Sequence, residues 1–237
     1  MKKILDWFKN WDKAFDKVTS DLVIYAVCTT DAKVLVVSYF ENLTGGYSKG
    51  DEQSLTVSAL PENYTYTPVP LNEYNVNETL GNNSCPLYAG KEEVINIYYD
   101  LKRYTVSFEF GDLTLVSGEK VQTVPHGGSA IAPVVADTQT VKFNKWDVPF
   151  DNVTSDLSVN AVLDVYKPIS TRADLECIAL DLNANYILVN NINLNSANWT
   201  PLGTFTGKLN GNGFTLECIK FDGQNDVGLF TNNKGVI

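Results

Sequence analysis

Two stretches of this chain are close copies of each other, which indicates an architecture built from a repeated unit. Phe8–Val27 aligns without a gap with Phe143–Val162, and twelve of the twenty aligned positions are identical. Each copy has a tryptophan, Trp11 or Trp146, ahead of a Val-Thr-Ser-Asp segment whose side chains bond the local backbone and favour a turn. A short run of apolar and β-branched residues follows in both copies. The sequence therefore predicts the same small sheet twice, with each tryptophan closing a core rather than forming a ligand platform.

The second copy is preceded by strand signals that the first copy lacks. Tyr104–Phe110 alternates apolar and polar residues, and Gly118–Val121 reads as a turn leading into a strand. We therefore predict a complete module over 102–165 and the C-terminal half of such a module over 1–31. On this interpretation Met1 is not the native start, so the absence of a signal peptide carries little weight.

The complete module resembles the Listeria–Bacteroides repeat, the B-repeat of internalins, in the segments Tyr104–Phe108, Gly118–Val121, Phe143–Trp146, Phe150–Asp151 and Thr154–Val162. The resemblance implies a small β-grasp-like module, strung in tandem on bacterial surface proteins. The usual Gly-Tyr-x-Phe-x-Gly-Trp pattern of the family stands here as Thr140–Trp146, without either glycine.

The middle of the chain reads as another small sheet domain, over 32–101. Two long strands, Lys33–Phe40 and Glu93–Tyr99, are expected on either side of a shorter one at Ser54–Val57. A Tyr- and Pro-rich stretch, Asn63–Pro70, separates the short strand from the last one. This order of strands resembles the mucin-binding (MucBP-type) module, and the resemblance leaves a spacer role and a ligand-binding role open.

Tyrosines of this middle module are the candidate ligand-binding residues. Tyrosine rings offer stacking surfaces for sugars, and five are available: Tyr47, Tyr64, Tyr66, Tyr74 and Tyr88. We single out Tyr64, Tyr66 and Tyr74 as a glycan-binding set, with host glycans or mucins as the partner. Burial of half or more of the five in the core would argue against this assignment.

The pattern changes after Lys167. Thr171–Asp174 has the spacing of a helix capping box, and Leu175, Ile178, Ala179 and Leu182 fall on one helical face. This predicts a short amphipathic helix that ends at residues 183–185. Short strands with Asn or Gly corners follow, as expected for a parallel β-helix; they are Tyr186–Val189, Ile192–Leu194, Phe205–Leu209, Phe214–Leu216, Ile219–Phe221 and Gly228–Phe230.

The C-terminal segment, 166–237, resembles the opening of GLUG-type bacterial surface domains. The likeness lies in Ala173–Leu175, Asn185–Leu188, Asn191–Leu194, Asn198–Gly203, Phe205–Gly213 and Gly228–Phe230. The resemblance implies the helix-capped first coils of a right-handed parallel β-helix. Because such domains continue through many coils, we expect this chain to stop inside one.

Composition excludes several functions. A net charge of −10 disfavours nucleic acid, whose phosphates require clustered Lys and Arg. No stretch has the apolar length of a membrane-spanning helix. His126 stands in a turn without the partners of a zinc site or a nucleophilic triad, so we predict no metal, cofactor or catalytic residue. The four cysteines are too scattered along the chain for a zinc site, and the sequence leaves their disulfide state open; they are Cys28, Cys85, Cys177 and Cys218.

The sequence thus predicts an all-β-dominated protein of tandem β-grasp-like modules followed by the first coils of a right-handed parallel β-helix. The expected function is a non-catalytic stalk of a secreted or cell-surface bacterial adhesin, monomeric unless exposed sheet edges associate. One alternative is a glycan- or mucin-binding module. A second is the N-terminal part of a carbohydrate-active β-helix enzyme. Its candidate carboxylates are Asp222 and Asp226, which flank a loop between expected strands, and Glu217, one strand earlier.

Overall fold

The computed structural model describes residues 8–14, 18, 20–28, 30–58, 60–221 and 227–237. Over these residues β-strand is the dominant regular secondary structure and there is one short α-helix, so the prediction of an all-β-dominated fold is confirmed. The chain divides into two compact units, one up to Tyr104 together with 124–128 and 152–155, and one of 105–123, 129–151 and 156–237. The first two strands, β1 (Phe8–Trp11) and β2 (Ala26–Cys28), form an antiparallel hairpin.

A four-stranded sheet follows, in the order β4-β3-β8-β6. Its central strands β3 and β8 run parallel, and the two outer strands run antiparallel to them. Two short strands, β5 and β7, pair with each other beside the sheet. The bounds are β3 Ala32–Glu41, β4 Tyr47–Val57, β5 Asn63–Thr65, β6 Tyr74–Asn77, β7 Ser84–Pro86 and β8 Glu92–Leu101.

The strand order corrects one expectation. We expected the short strand to lie between the two long ones, whereas β3 and β8 lie side by side and β4 is an edge strand. The reason is the distribution of apolar residues. β3 and β8 alternate into the core through Val34, Val36, Ile95 and Ile97, all at most 2% exposed. The exposed β4 carries charged residues, which suit an edge.

The next sheet also has four strands, in the order β11-β9-β14-β13, with β10 and β12 paired beside it. Here β14 runs parallel to β9 and antiparallel to β13. The ring of Phe108, fully buried, meets Trp146 and Phe150 edge-on at centroid distances of 5.0 and 5.2 Å. The bounds are β9 Arg103–Glu109, β10 Thr114–Ser117, β11 Val121–Pro125, β12 Val134–Ala136, β13 Val141–Trp146 and β14 Leu157–Val165.

The two copies of the repeated sequence form the same hairpin. In the first copy the paired positions are Phe8↔Cys28, Asn10↔Val27 and Trp11↔Ala26. In the second they are Phe143↔Leu163, Lys145↔Val162 and Trp146↔Ala161, which are the aligned positions. The irregularity in register also falls at the same place, after the phenylalanine.

An aspartate closes both hairpins in the same way. The Asp12 carboxylate accepts a hydrogen bond from the Tyr25 backbone N–H at 2.8 Å, and the Asp12 N–H donates to the Tyr25 carbonyl at 3.0 Å. Asp147 makes the equivalent bonds with Asn160, at 2.7 and 2.9 Å. Similarity of sequence therefore extends to backbone register and to the closing side chain.

The C-terminal part consists of short strands that pair only in parallel. The pairings are β15-β16-β19, β17-β20 and β18-β21. In each pairing, a strand lies parallel to one from a later segment of the chain. The bounds are β15 Lys167–Ile169, α1 Arg172–Glu176, a 3₁₀ helix Cys177–Leu180, β16 Tyr186–Leu188, β17 Ile192–Asn193, β18 Leu202–Phe205, β19 Leu209–Asn210, β20 Leu216–Glu217 and β21 Phe230–Asn233.

The predicted capping box is present. The Thr171 hydroxyl accepts from the Asp174 N–H at 3.1 Å, and the Asp174 carboxylate accepts from the Thr171 N–H at 2.9 Å. Leu175 and Ile178 are fully buried in the C-terminal core. Two details were wrong: Ala179 is exposed, and the helical segment becomes 3₁₀ and ends at Leu180 rather than at 183–185.

Successive segments of the C-terminal stack approach each other at their backbones. A Cβ added at Gly207 would overlap the Ala184 carbonyl oxygen, and one at Gly235 would overlap the Gly207 carbonyl oxygen. The expected strand Phe205–Leu209 is broken at this point. Both Thr206 and Gly207 donate their N–H groups to the Leu182 carbonyl, at 2.9 and 3.1 Å, so the chain turns between β18 and β19.

Candidate functional site

A cleft of about 430 Å³ lies at the β6 side of the first sheet. Six polar residues line it: Asn77, Glu78, Asn82, Asn83, Ser84 and Asn96. Its apolar lining comes from Pro68, Val76 and Ile97, and Gly81 completes the wall. We call this the amide-lined cleft.

The cleft exists because β6 leaves the edge of β8 early. β6 ends at Asn77, whose side-chain oxygen accepts from the N–H groups of Thr79 and Leu80 at 3.0 Å each. An asparagine that bonds the backbone two and three residues ahead is a turn former. The chain therefore bends away from β8 at Asn77, whereas β8, still paired with β3 on its other side, extends beyond that point through Asn96 to Glu92.

The chain then returns to β8 through Asn82. The Asn82 N–H donates to the Asn96 carbonyl at 3.2 Å, and the Asn82 side-chain oxygen accepts from the Asn96 N–H at 3.3 Å. One asparagine thus satisfies both backbone groups of Asn96, as a paired strand would. Gly81 allows the approach, since a Cβ there would lie 2.5 Å from the Asn96 carbonyl oxygen.

Several polar groups of the cleft are available to a ligand. The side chains of Glu78, Asn83 and Asn96 make no hydrogen bond within the described part of the chain. Asn77, by contrast, is fixed, because its amide nitrogen donates to both carboxylate oxygens of Asp100, at 2.9 and 3.1 Å. The cleft therefore combines a rigid frame with unpaired amide and carboxylate groups.

The three tyrosines predicted to bind glycans lie elsewhere. Tyr64, Tyr66 and Tyr74 are half-buried and pack against the core of the first sheet. The Tyr74 ring meets Phe40 edge-on at 5.3 Å, and the Tyr66 hydroxyl donates to Gln53 at 3.3 Å. None of the three lines the amide-lined cleft.

Sequence reasoning named Tyr47 as an available ring but missed the cluster that it forms with Tyr39 and Tyr98 on the opposite face of the same sheet. Tyr39 and Tyr98 stack at 4.8 Å, and Tyr47 meets Tyr98 edge-on at 5.0 Å. The Tyr47 hydroxyl donates to Asp100, and this bond raises the pKa of Tyr47. Strict alternation along β8 was the available signal, since Tyr98 and Asp100 are out of phase with the buried Ile97.

Other candidate groups do not assemble. Among the described residues, no three His, Cys, Asp or Glu side chains are placed to hold a metal ion, and no helix is long and apolar enough to cross a membrane. His126 lies beside Tyr104, with Nδ1 3.4 Å from the hydroxyl. Glu217 accepts from the Thr215 hydroxyl at 3.2 Å, and Asp222 and Asp226 lie outside the described residues.

Three cysteines are free thiols in this structure. Cys85 is buried in the core of the first sheet, and burial raises the pKa of its thiol. Cys177 and Cys218 are exposed in the C-terminal part. The side chain of Cys28 lies outside the described residues.

No protein-family model matches the chain, and no curated protein matches it significantly. The likenesses to B-repeats, mucin-binding modules and GLUG-type domains therefore rest on the residues quoted above. The geometry that bears on function is the repeated hairpin, the parallel stack and the amide-lined cleft.

Proposed function

We propose that this protein is a non-catalytic, modular stalk of a bacterial cell-surface adhesin. On this proposal, β-grasp-like modules over 1–31, 32–101 and 102–165 precede the helix-capped first coils of a right-handed parallel β-helix over 166–237. Such a stalk spaces other regions from the cell and adds weak contacts that gain strength when several act together. The observation that carries the proposal is the repeated hairpin.

The repeated hairpin supports a modular spacer because more than sequence is shared. Both copies have the same register, the same irregularity after the phenylalanine and the same closing aspartate, Asp12 or Asp147. A unit that reproduces its own contacts can be duplicated without redesign of its neighbours. Repetition of this kind is how spacer proteins reach their length.

The C-terminal stack supports the β-helix part of the proposal. Its strands pair only in parallel among the described residues, and the backbones of Ala184, Gly207 and Gly235 come together across successive segments. Phe205 and Phe230, from paired strands, stack face to face at 4.4 Å inside the core. Leu175 of α1 is buried in the same core, which fits a helix that covers the first coil.

Duplication of one module tests the spacer role. We would insert a second copy of 102–165 directly after the first in the full chain and measure the maximum dimension by small-angle X-ray scattering. β14 has nine residues, and at about 3.3 Å per residue a folded module adds roughly 30 Å. The control carries Phe108→Ala in the inserted copy only, which removes the buried ring of that copy.

A discrete increase near this length for the intact insert, and a broad distribution for the control, support the spacer. An unchanged maximum dimension would contradict it. The non-catalytic part is tested separately, by incubating the full chain with a panel of polysaccharides and measuring reducing ends and unsaturated products. Turnover of any of them would contradict that part.

A further inference from the structure

We propose that the amide-lined cleft binds a neutral saccharide unit. This assignment goes beyond the stalk role and stands on different observations, so either can fail without the other. It also differs from the tyrosine set predicted from sequence, because none of Tyr64, Tyr66 and Tyr74 lines the cleft.

The polar lining has the chemistry of a sugar site. A side-chain amide carries two N–H donors and an acceptor oxygen, so it pairs with a hydroxyl in either direction. Asn83 and Asn96 offer such amides without internal partners among the described residues, and Glu78 offers a carboxylate that accepts from hydroxyls. The lining contains no Lys, Arg or His, so it provides no cation for a phosphate, sulfate or carboxylate.

The accessible part of the apolar lining suits the carbon–hydrogen face of a pyranose ring. It consists of Val76, which is 37% exposed, and the half-buried Pro68, since Ile97 is 2% exposed and offers almost no surface. Small-molecule sites combine an apolar surface with a few placed polar groups, in cavities of roughly 300–1,000 Å³. The volume of about 430 Å³ accommodates one or two sugar rings.

The frame of the cleft is held before any ligand arrives. Asn77 is fixed by Asp100 on one side and by its own turn on the other. Asn82 is fixed by its two bonds to the Asn96 backbone, and its amide nitrogen donates to the Ser84 carbonyl at 3.2 Å. A site that needs little ordering loses less of its binding free energy on association.

A peptide strand is a poorer occupant. Strand addition requires free backbone N–H and C=O groups along a sheet edge. At the cleft both groups of Asn96 are already bonded to Asn82. The side chains of Glu78, Asn83 and Asn96 remain unpaired among the described residues and are available to hydroxyl groups.

The test is a titration of the full chain with single sugars, followed by amide chemical shifts and saturation transfer. The panel is glucose, galactose, mannose, N-acetylglucosamine and N-acetylgalactosamine, with glucuronic acid and N-acetylneuraminic acid as charged comparators. We expect at least one neutral sugar to bind with a Kd near 1 mM, with the largest shifts at Gly81, Asn96 and Ile97.

Two variants report on the site, and two serve as controls. Asn96→Ala and Asn83→Ala each remove one amide and should weaken binding about tenfold. Asn75→Ala removes an exposed amide from β6 outside the cleft, and Tyr88→Ala removes a 55% exposed ring, so neither should change the Kd. Each variant is shown to be folded if its amide spectrum outside the cleft matches that of the wild type.

Four results would overturn the assignment. These are no shift at the cleft amides with any sugar at 10 mM (about ten times the expected Kd), equal affinity in wild type and both amide variants, loss of binding in Tyr88→Ala alone, and tighter binding of the charged sugars. The stalk proposal survives each of these results, because its test is a length.

Discussion

Gly207 is the position where the C-terminal stack is most sensitive to one added carbon. Gly207→Ala places a Cβ against the Ala184 carbonyl, 2.8 Å from its carbon and closer still to its oxygen, where real Cβ atoms are not found within 3.0 Å. The φ of Gly207 is not in the left-handed region, so an alanine is strained only by this contact. The obstacle is backbone, which cannot rotate away as a side chain can.

The expected cost follows from the bonds around that contact. Ala184 must retreat by about 1 Å in a close-packed interior. That movement disturbs the bonds from Thr206 and Gly207 to the Leu182 carbonyl and the 2.7 Å bond from Tyr186 to Lys208. Three hydrogen bonds at about 1 kcal/mol each give a loss of about 3 kcal/mol in the free energy of unfolding of the stack.

Hydrogen exchange measures this loss locally. The Tyr186 and Leu209 amides both donate across the stack, to Lys208 and Val236, at 2.7 and 2.8 Å. A loss of about 3 kcal/mol speeds their exchange roughly a hundredfold, since 1.4 kcal/mol is a factor of ten. Gly211→Ala is the control, because its Cβ would meet nothing closer than 3.8 Å and should change exchange by under about 0.5 kcal/mol.

Unchanged exchange in Gly207→Ala would refute the reasoning, because it would mean that Ala184 moves without resistance. An equal loss in Gly211→Ala would refute it in another way, since the loss would then not depend on the contact with Ala184, and the entropic effect of Gly→Ala alone is stabilising.

Three further predictions concern packing and charge. Phe205→Ala empties a fully buried site and should lower the free energy of unfolding by about 3–5 kcal/mol in urea titrations, whereas Phe214→Ala, at a 37% exposed ring, should cost under about 1 kcal/mol; similar urea midpoints for both would contradict the packing described. Hydrogen bonds from Ser170 lower the pKa of Asp174 to about 2. The contribution of the Asp174 carboxylate to the free energy of unfolding is therefore fully present above about pH 4 and lost as the pH falls towards 2. Asp174→Asn should flatten that part of the acid-unfolding curve, and an unchanged curve would argue against it. Asp147→Ala should speed exchange at the Asn160 amide more than Asp147→Asn, which keeps an acceptor oxygen.

The sequence predicted local structure reliably where the two interacting residues lie within one helical turn of each other. Thr171 and Asp174 are three residues apart, so their reciprocal bonds could be read directly, and Leu175 followed from the same spacing. The repeat predicted two copies of one structure, and the hairpins at Trp11 and Trp146 have that relation.

Features that depend on distant partners could not be read in the same way. β4 lies at an edge because β3 and β8, which carry the buried apolar residues, pair with each other at the centre of the sheet. The bonds of Asn82 to Asn96 join residues whose sequence neighbours give no sign of pairing. Similarly, Gly207 interrupts a predicted strand because of Leu182, a residue one segment earlier.

The shared register of the two hairpins has a consequence for how the chain folds. Since β1 and β13 meet their partners at equivalent positions, each of them has two acceptable mates in one polypeptide. Nascent repeats of this kind risk exchanging strands, a recognised failure of multidomain chains. The copies differ where Tyr25 stands in place of Asn160, and only Asn160 adds a side-chain bond to its aspartate, at 3.0 Å. Because an aspartate follows both β1 and β13, that bond stabilises β14 with either strand and does not by itself select the correct one.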